Sequence, residues 1–269
     1  MRVAGRVALV TGASRGIGAG IARCMAQEGA AVVVNYVQSE ELATRVAREI
    51  RDGGGRAIAV QADVGNYAQV KSMVDQSIAE FGKVDILVNN AGIAGPYGPL
   101  ADITPQEFQE VITNHVIGSF NCTHCLLHHM REQERGDIIF ISSRQTDFFP
   151  PNSGPYNAAK AGMDGMAQGL AKEERYNGIR VNVVAPGLVP TDILMKDLME
   201  TTGKSSVEEV DRVMPFGRML RPEDIGNLCT FLASEQGSHI SGEVIYVRGA
   251  VGGEPPSFYV NGPKPYYAS

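Results

Sequence analysis

The sequence predicts an α/β fold: a doubly wound parallel sheet of about seven strands with helices on both faces, in a single domain. Three observations predict it. Short β-branched runs alternate with helical stretches over most of the chain. Several of those runs are apolar on both faces, as strands covered by helices on each side should be. The first run passes straight into a glycine-rich turn that opens a helix.

The strands are expected at residues 6–11, 31–36, 57–61, 86–89, 137–142, 179–184 and 244–247. Between them, apolar residues at helical spacing predict helices over 17–28, 40–52, 67–81, 105–131, 156–176 and 222–233. No repeat and no linker interrupts the series, so residues 1–252 read as one domain. The pattern breaks twice. A charged segment at 188–214 has the character of a substrate loop or lid. Residues 253–269 form a tail rich in Pro and Tyr, suited to packing on a neighbouring subunit or to disorder.

Composition excludes several classes. Of 269 residues, 43% are hydrophobic and 20% charged, an ordinary globular balance with ample material for a core. A net charge of −6 and no cluster of basic residues argue against nucleic acid as a partner. No apolar run approaches the roughly 20 residues that span a bilayer. The amino terminus lacks the regions of a secretory signal, so a cytoplasmic protein is expected. Four cysteines, Cys24, Cys122, Cys125 and Cys229, make no disulfide framework for this length.

After the first strand the chain reads Thr11-Gly12-Ala13-Ser14-Arg15-Gly16-Ile17-Gly18. Glycines there let the backbone turn sharply and come close to a pyrophosphate, and the free N–H groups of the helix that follows favour the anion. Three residues separate the first two glycines, unlike the more usual single one. Asp63-Val64 follows the third strand, where a carboxylate can accept from an adenine amino group. Asn89-Asn90-Ala91-Gly92 follows the fourth, at the strand ends where such sheets bind ligands. Each could also be an ordinary strand-end turn. The second strand ends Val34-Asn35-Tyr36-Val37-Gln38-Ser39, with no carboxylate before Glu40 to hold a ribose diol. Asn35 is a candidate contact to the cofactor, and Arg15 could pair with a 2′-phosphate. NADP(H) is therefore favoured, and NAD(H) is the alternative.

Tyr156-Asn157-Ala158-Ala159-Lys160 puts a phenol and an ammonium on one helical face. A nearby positive charge favours tyrosinate and brings a phenol pKa of about 10 towards the working pH. Ser142 and Ser143 end the fifth strand at the same edge, where a hydroxyl can bond a substrate oxygen. Asn114, a poor helix former inside a long helix, marks a candidate local disruption holding a water in a proton path.

This combination resembles the short-chain dehydrogenase/reductase family, in particular members similar to 3-oxoacyl-acyl-carrier-protein reductases. The match runs from about Arg6 to Val247 and includes Asn182, Pro186-Gly187 and Thr191. The resemblance implies a Rossmann-type fold and hydride transfer between a nicotinamide and a ketone or secondary alcohol. It implies Tyr156 as general acid/base and Lys160 as the residue that holds the nicotinamide ribose and lowers the tyrosine pKa. Ser143 fits the substrate serine better than Ser142, and Asn114 fits the proton relay. Gly12, Ser14, Arg15, Gly16, Ile17, Gly18, Asn35, Asp63, Val64, Asn90, Ala91 and Gly92 would line the cofactor. Pro186, Gly187, Val189 and Thr191 would lie beside the nicotinamide. A homotetramer with the helices around Asn114 and Tyr156 at one interface is also implied.

A reductase of a 3-oxoacyl-like ketone is the leading expectation. An NAD-dependent dehydrogenase of a sugar, polyol, steroid or cyclic alcohol competes with it, and a non-catalytic cofactor-binding regulator is a third reading. The intact Asn114, Ser143, Tyr156 and Lys160 set argues against the last. Cys122, Cys125 and His129 share one face of a long helix, but structural zinc usually draws on more than one element, so packing is expected there and no metal. The stretch Arg144–Pro155, which opens Arg-Gln-Thr-Asp-Phe-Phe, departs from the small apolar segment often found in relatives. Phe148 and Phe149 could line the pocket, and Arg144 could meet an anionic group, pair with Asp147 or face solvent.

Overall fold

A computed structural model of the chain describes residues 1–190, 206–212 and 214–249. Seven parallel strands form one sheet in the order β3-β2-β1-β4-β5-β6-β7. They are β1 Val7–Val10, β2 Ala31–Tyr36, β3 Arg56–Gln61, β4 Ile86–Asn89, β5 Gly136–Ile141, β6 Ile179–Pro186 and β7 Val244–Val247. The helices are α1 Gly16–Gln27, α2 Glu40–Asp52, α3 Tyr67–Phe81, α4 Pro105–Ile112, α5 Gly118–Arg131, α6 Gly154–Glu174, α7 Val207–Asp211 and α8 Pro222–Ala233. The order reverses between β1 and β4, and ligands of such sheets sit beyond the strand ends at that point.

The alternation of the pleat builds two cores. Ala8 and Val10 of β1 face a layer with Ile21 and Met25 of α1, Val46 of α2 and Ile225 of α8. Val7 and Leu9 face the other layer, with Met73 of α3, Leu126 of α5 and Met163 of α6. All four residues of β1 are buried, which is why the sequence there shows no polar face. On α2 the buried residues Ala43, Val46, Ala47 and Ile50 fall at helical spacing, and all the remaining residues but Leu42 and Thr44 are charged. Caps fix other boundaries. Asn66 accepts from Gln69 N at the start of α3, and Gly82 ends that helix with φ 80°. Thr104 and Glu107 form a reciprocal capping box around Pro105.

One predicted element divides. The stretch 105–131 is not a continuous α-helix: a π-helical turn, Thr113–Ile117, separates α4 from α5 and contains Asn114. Two others shift. The sixth helix starts at Gly154 and gives way to a 3-10 turn, Arg175–Asn177. β6 runs on to Pro186, the last strand position, where a missing N–H does no harm because Gly187 N takes up the ladder to Val247 O at 2.8 Å. Asn182 ties β6 to the turn before β7, donating to Ile240 O at 2.8 Å and accepting from Glu243 N.

At the opposite end of the sheet, Arg6 bonds Asp85 at 3.0 Å and also Asp137, and Arg180 bonds Asp137 at 2.5 Å. These pairs anchor β1, β4, β5 and β6 far from the ligand edge. No helix among the described residues is long and apolar enough to cross a membrane. Thr191, most of the segment 188–214 and the tail 253–269 lie outside the described residues.

Candidate active site at the carboxyl edge of the sheet

The turn after β1 is held open from behind. Thr11 Oγ1 accepts from Asn90 N and Ala91 N, both at 2.9 Å, and donates to Val88 O at 3.2 Å. The Asn90 side chain donates back to Thr11 O and Gly12 O. Gly12 and Gly16 have φ of 60° and 55°, a region that strains other residues. A Cβ on Gly18 would come within 2.5 Å of both Asn90 Nδ2 and Gly12 O, so only glycine fits there.

Residues suited to a dinucleotide are therefore present, and their geometry fits it. The α1 N-terminus has an extended Arg15 at its N-cap, no side-chain cap bond and no acidic residue in its first turn. Among the described residues its first N–H groups thus have no side-chain acceptor, the condition for taking an anion. Arg15 is exposed at that rim, with Ser14 and Ile17 half-buried beside it.

Asn35, the candidate at the end of the second strand, makes its side-chain hydrogen bonds inside the protein. It is fully buried, its Oδ1 accepts from Gly12 N at 3.0 Å, and its Nδ2 lies within 3.0–3.4 Å of Ala62 O, Tyr36 O and Val60 O. A buried amide must satisfy its polar atoms internally, and Asn35 does so by bracing the glycine turn. At the end of β3, Asp63 Oδ1 accepts from Gly65 N at 2.8 Å, forming a tight turn. Val64 beneath it is buried, and its carbonyl accepts from Asn121 Nδ2 at 2.9 Å.

Across the switch point lie the chemical groups. Lys160 Nζ is 5.5 Å from the centre of the Tyr156 ring. Lys160 is only 4% exposed and donates to Ile141 O at 2.8 Å, at the end of β5. Burial pushes its ammonium down to about 8, and Asp164 one turn on opposes that shift. Ser143 follows Ile141 and Ser142 on the same strand end. It is half-buried, and its Oγ accepts from Gln145 N at 3.2 Å. Ser142 is buried on the other side beside Asp164, whose carboxyl is raised by burial while the Ser142 and Thr146 hydroxyls pull it down. Alternation along the strand thus separates the surroundings of the two serines.

Asn114 lies in the π-turn, its Nδ2 donating to Glu110 O at 3.2 Å. Next to it, His115 went unnoticed in the sequence. It is 2% exposed, its ring meets Tyr156 edge-to-face with centroids 5.5 Å apart, and its Nε2 lies 2.8 Å from Ile93 O. Burial, with the Lys160 charge nearby, pushes its pKa down to about 3. Its partners are remote in sequence; the one local signal was a polar ring on the inward side of an apolar helix.

The segment after Ser143 begins with a 3-10 turn, Arg144–Asp147. Arg144 is buried and its guanidinium lies 5.0 Å from the Phe148 ring centre, so it does not face solvent. Asp147 pairs instead with Arg248, at 2.7 Å. Phe149 is 53% exposed with φ 45°, an unusual conformation for a bulky residue.

Cys122 is fully buried, and burial raises its thiol pKa. His124 stacks on Phe120 at 5.4 Å, and His129 Nε2 accepts from Val84 N. Pro186 and Gly187 end β6 at the site edge, and Val189 is buried in the core below.

The fold and the sequence have known relatives. Residues 12–251 match the family described as enoyl-(acyl carrier protein) reductase. The chain is 39% identical over 244 residues to the 3-oxoacyl-acyl-carrier-protein reductase FabG of Staphylococcus aureus, covering 91% of this chain and 97% of that protein. A short chain dehydrogenase from Burkholderia cenocepacia, solved in complex with NADP, superposes with a TM-score of 0.82 at 34% identity, covering 93% and 98% of the two chains. A 7α-hydroxysteroid dehydrogenase complexed with NADH and 7-oxo glycochenodeoxycholic acid gives a TM-score of 0.84 at 33% identity, covering 93% and 95%.

Proposed function

Because the chain belongs to the short-chain dehydrogenase/reductase family, whose members act on CH–OH and C=O groups, we propose that it reduces a ketone with NADPH, using Tyr156 as the acid. The observation that carries this reading is the buried Lys160 beside the Tyr156 ring, at the same sheet edge as the glycine turn. When bound, the nicotinamide supplies the hydride. The chain's own residues do the rest. Thr11–Gly18 and the α1 N-terminus hold the pyrophosphate, and Asp63 and Val64 the adenine. Asn90, Ala91, Gly92 and Lys160 would hold the ribose, and Pro186, Gly187, Val189 and Thr191 would lie beside the nicotinamide.

Tyr156 Oη donates its proton to the carbonyl oxygen while the carbonyl carbon receives the hydride, and the product is the alcohol. Ser143 Oγ donates to that same oxygen and steadies the developing charge. The Lys160 ammonium favours the tyrosinate left behind, and Asn114 lies on the path by which the proton is replaced.

Arg15 at the rim of the glycine turn and the lack of an acidic residue after β2 favour the 2′-phosphate of NADP(H). The NADP-bound neighbour is in keeping with this. A 3-oxoacyl-like ketone is the leading substrate class, after the FabG relative. A second reading, oxidation of a ring alcohol with NAD, is favoured by Phe149 and Tyr97, each 53% exposed, and by the steroid dehydrogenase neighbour. We further read the chain as a cytoplasmic homotetramer.

The test is an oxidation and reduction screen with both cofactors over ketone and alcohol panels, run on the wild type and Tyr156→Phe. The variant should lose nearly all turnover and keep NADPH binding. Near-normal turnover would refute the mechanism, and a clear NADH preference would refute the cofactor assignment.

A further inference from the structure

We propose that His115 is a positioning residue whose imidazole locks the Tyr156 ring to the turn of residues 90–93, and so sets the general acid relative to the cofactor cradle. This rests on the functional reading above and deepens it. Asn114 belongs to the expected proton relay; its neighbour has had no task.

The contacts run in an unbroken series. The glycine turn is tied to Asn90 by the Thr11 hydroxyl and by the Asn90 amide. Two residues on, a Cβ on Gly92 would come within 2.1 Å of His115 Cε1, so the imidazole occupies the space that a side chain at 92 would fill. Ile93 O lies 2.8 Å and Ile93 N 3.3 Å from His115 Nε2; the carbonyl is the nearer and can only accept, so the ring proton is assigned to that nitrogen. On its other side the imidazole meets the Tyr156 ring at an interplanar angle of 88°. Lys160 completes the series at 5.5 Å from that ring. Phosphate end and chemical end are thus joined through one side chain.

Space filling alone does not call for imidazole. An apolar residue would fill the same volume without desolvating two nitrogens, and among the described residues nothing pairs with Nδ1. What imidazole adds is a donor to Ile93 O together with a flat edge for Tyr156. It adds them without charge: burial holds it neutral, so Lys160 gains no cationic neighbour.

Three variants separate these features. His115→Leu removes ring and donor, His115→Phe keeps the ring, and His115→Gln keeps the donor. Steady-state kinetics, the isotope effect with NADPH deuterated at the transferred hydrogen, NADPH affinity by fluorescence and the NMR signals of labelled tyrosine, with Tyr156 assigned through Tyr156→Phe, are read for each. In His115→Leu, kcat should fall about 10- to 100-fold, the size of effect that a misplacement near 1 Å produces, with NADPH affinity within about threefold and a larger isotope effect. The Tyr156 ring signal should move in that variant and return towards the wild-type position in His115→Phe. Where His115→Leu does not fold, the other two divide the contacts, and each should lose about tenfold in kcat.

A kcat in the variants within about threefold of wild type overturns the proposal. So does a loss of NADPH affinity that accounts for the whole fall in kcat/KM, or a Tyr156 signal that ignores the substitutions. A wild type without turnover on any carbonyl or alcohol sinks the reading of function instead, and the Tyr156 signal then decides the role of His115 by itself.

Discussion

Lys160 holds a charge where water does not reach. Its ammonium bonds Ile141 O at 2.8 Å and lies 3.9 Å from Met163 Sδ, with Asp164 the one opposing charge that raises its pKa. Burial wins, and the folded value falls to about 8 from 10.5. Between those values the folded state binds fewer protons than the unfolded one, so the Lys160 contribution to stability rises with pH across this window. Below pH 8 both states are protonated and the cost of the buried charge is fully present. Lys160→Met removes that cost. The advantage of Met over Lys, read as a difference in unfolding free energy of the cofactor-free protein, should therefore shrink between pH 8 and pH 10 by about 2–3 kcal/mol, at roughly 1.4 kcal/mol per pH unit. A difference that stays flat or grows would show that Lys160 is solvated. The Tyr156 and Lys160 spacing was legible because one helical turn creates the contact locally. His115 was not, because Gly92, Ile93 and Tyr156 reach it only through the fold. The bracing bonds of Asn35 were hidden for the same reason: strand position predicts which edge a residue occupies, and burial decides which way its amide turns.

Between residues and domain stands the π-turn that divides α4 from α5. The sequence pointed to a disruption at Asn114 inside one long helix, and the structure places five residues of π-helix there. Its cause is not local either. At the end of the turn, a Cβ on Gly118 would come within 2.6 Å of Val64 Cγ2, so the bend seats itself against the end of β3. Two effects oppose each other in Gly118→Ala. Helix propensity favours alanine by about 1 kcal/mol. Overpacking against a buried β-branched residue costs about 1–3 kcal/mol, and Val64 has little room, being 2% exposed. The contact should win. We expect a lower Tm, by roughly 2–4 °C per kcal/mol of net loss, and weaker NADPH binding because Val64 adjoins Asp63. A stabilised variant would mean that the π-turn yields without cost. The mechanism explains why composition and periodicity gave the correct elements but not this break: a bulged turn is set by what it packs on.

At the scale of the molecule, the side formed by α3 and α5 exposes several large apolar side chains. Ile117 and Phe120 on the α5 side are 42% and 46% exposed, with Tyr67 of α3 at 46%. The neighbouring helix α6 is 21 residues long and has Gly162, Gly165 and Gly169 on its outer side. Strand–helix alternation made the parallel sheet legible, but it carries no information about what covers this face, since an oligomer contact and a solvated patch use the same residues. The glycines discriminate. Among the described residues, nothing beyond the helix's own backbone and the adjoining residues lies within 4 Å of a Cβ built on Gly165 or Gly169, so none of them requires glycine there. Each costs about 1 kcal/mol relative to alanine in a helix. In a monomer the double substitution Gly165→Ala and Gly169→Ala would therefore stabilise by about 2 kcal/mol, raising Tm by roughly 4–8 °C. In the proposed tetramer, with a second copy against α6, two methyl groups would enter a close helix contact and cost more than propensity returns. We expect the tetramer to dominate the sedimentation profile of the wild type and the double variant to shift it towards smaller species with no gain in Tm. A wild type that sediments as a monomer, or a double variant that is more stable at unchanged mass, would rule out that interface.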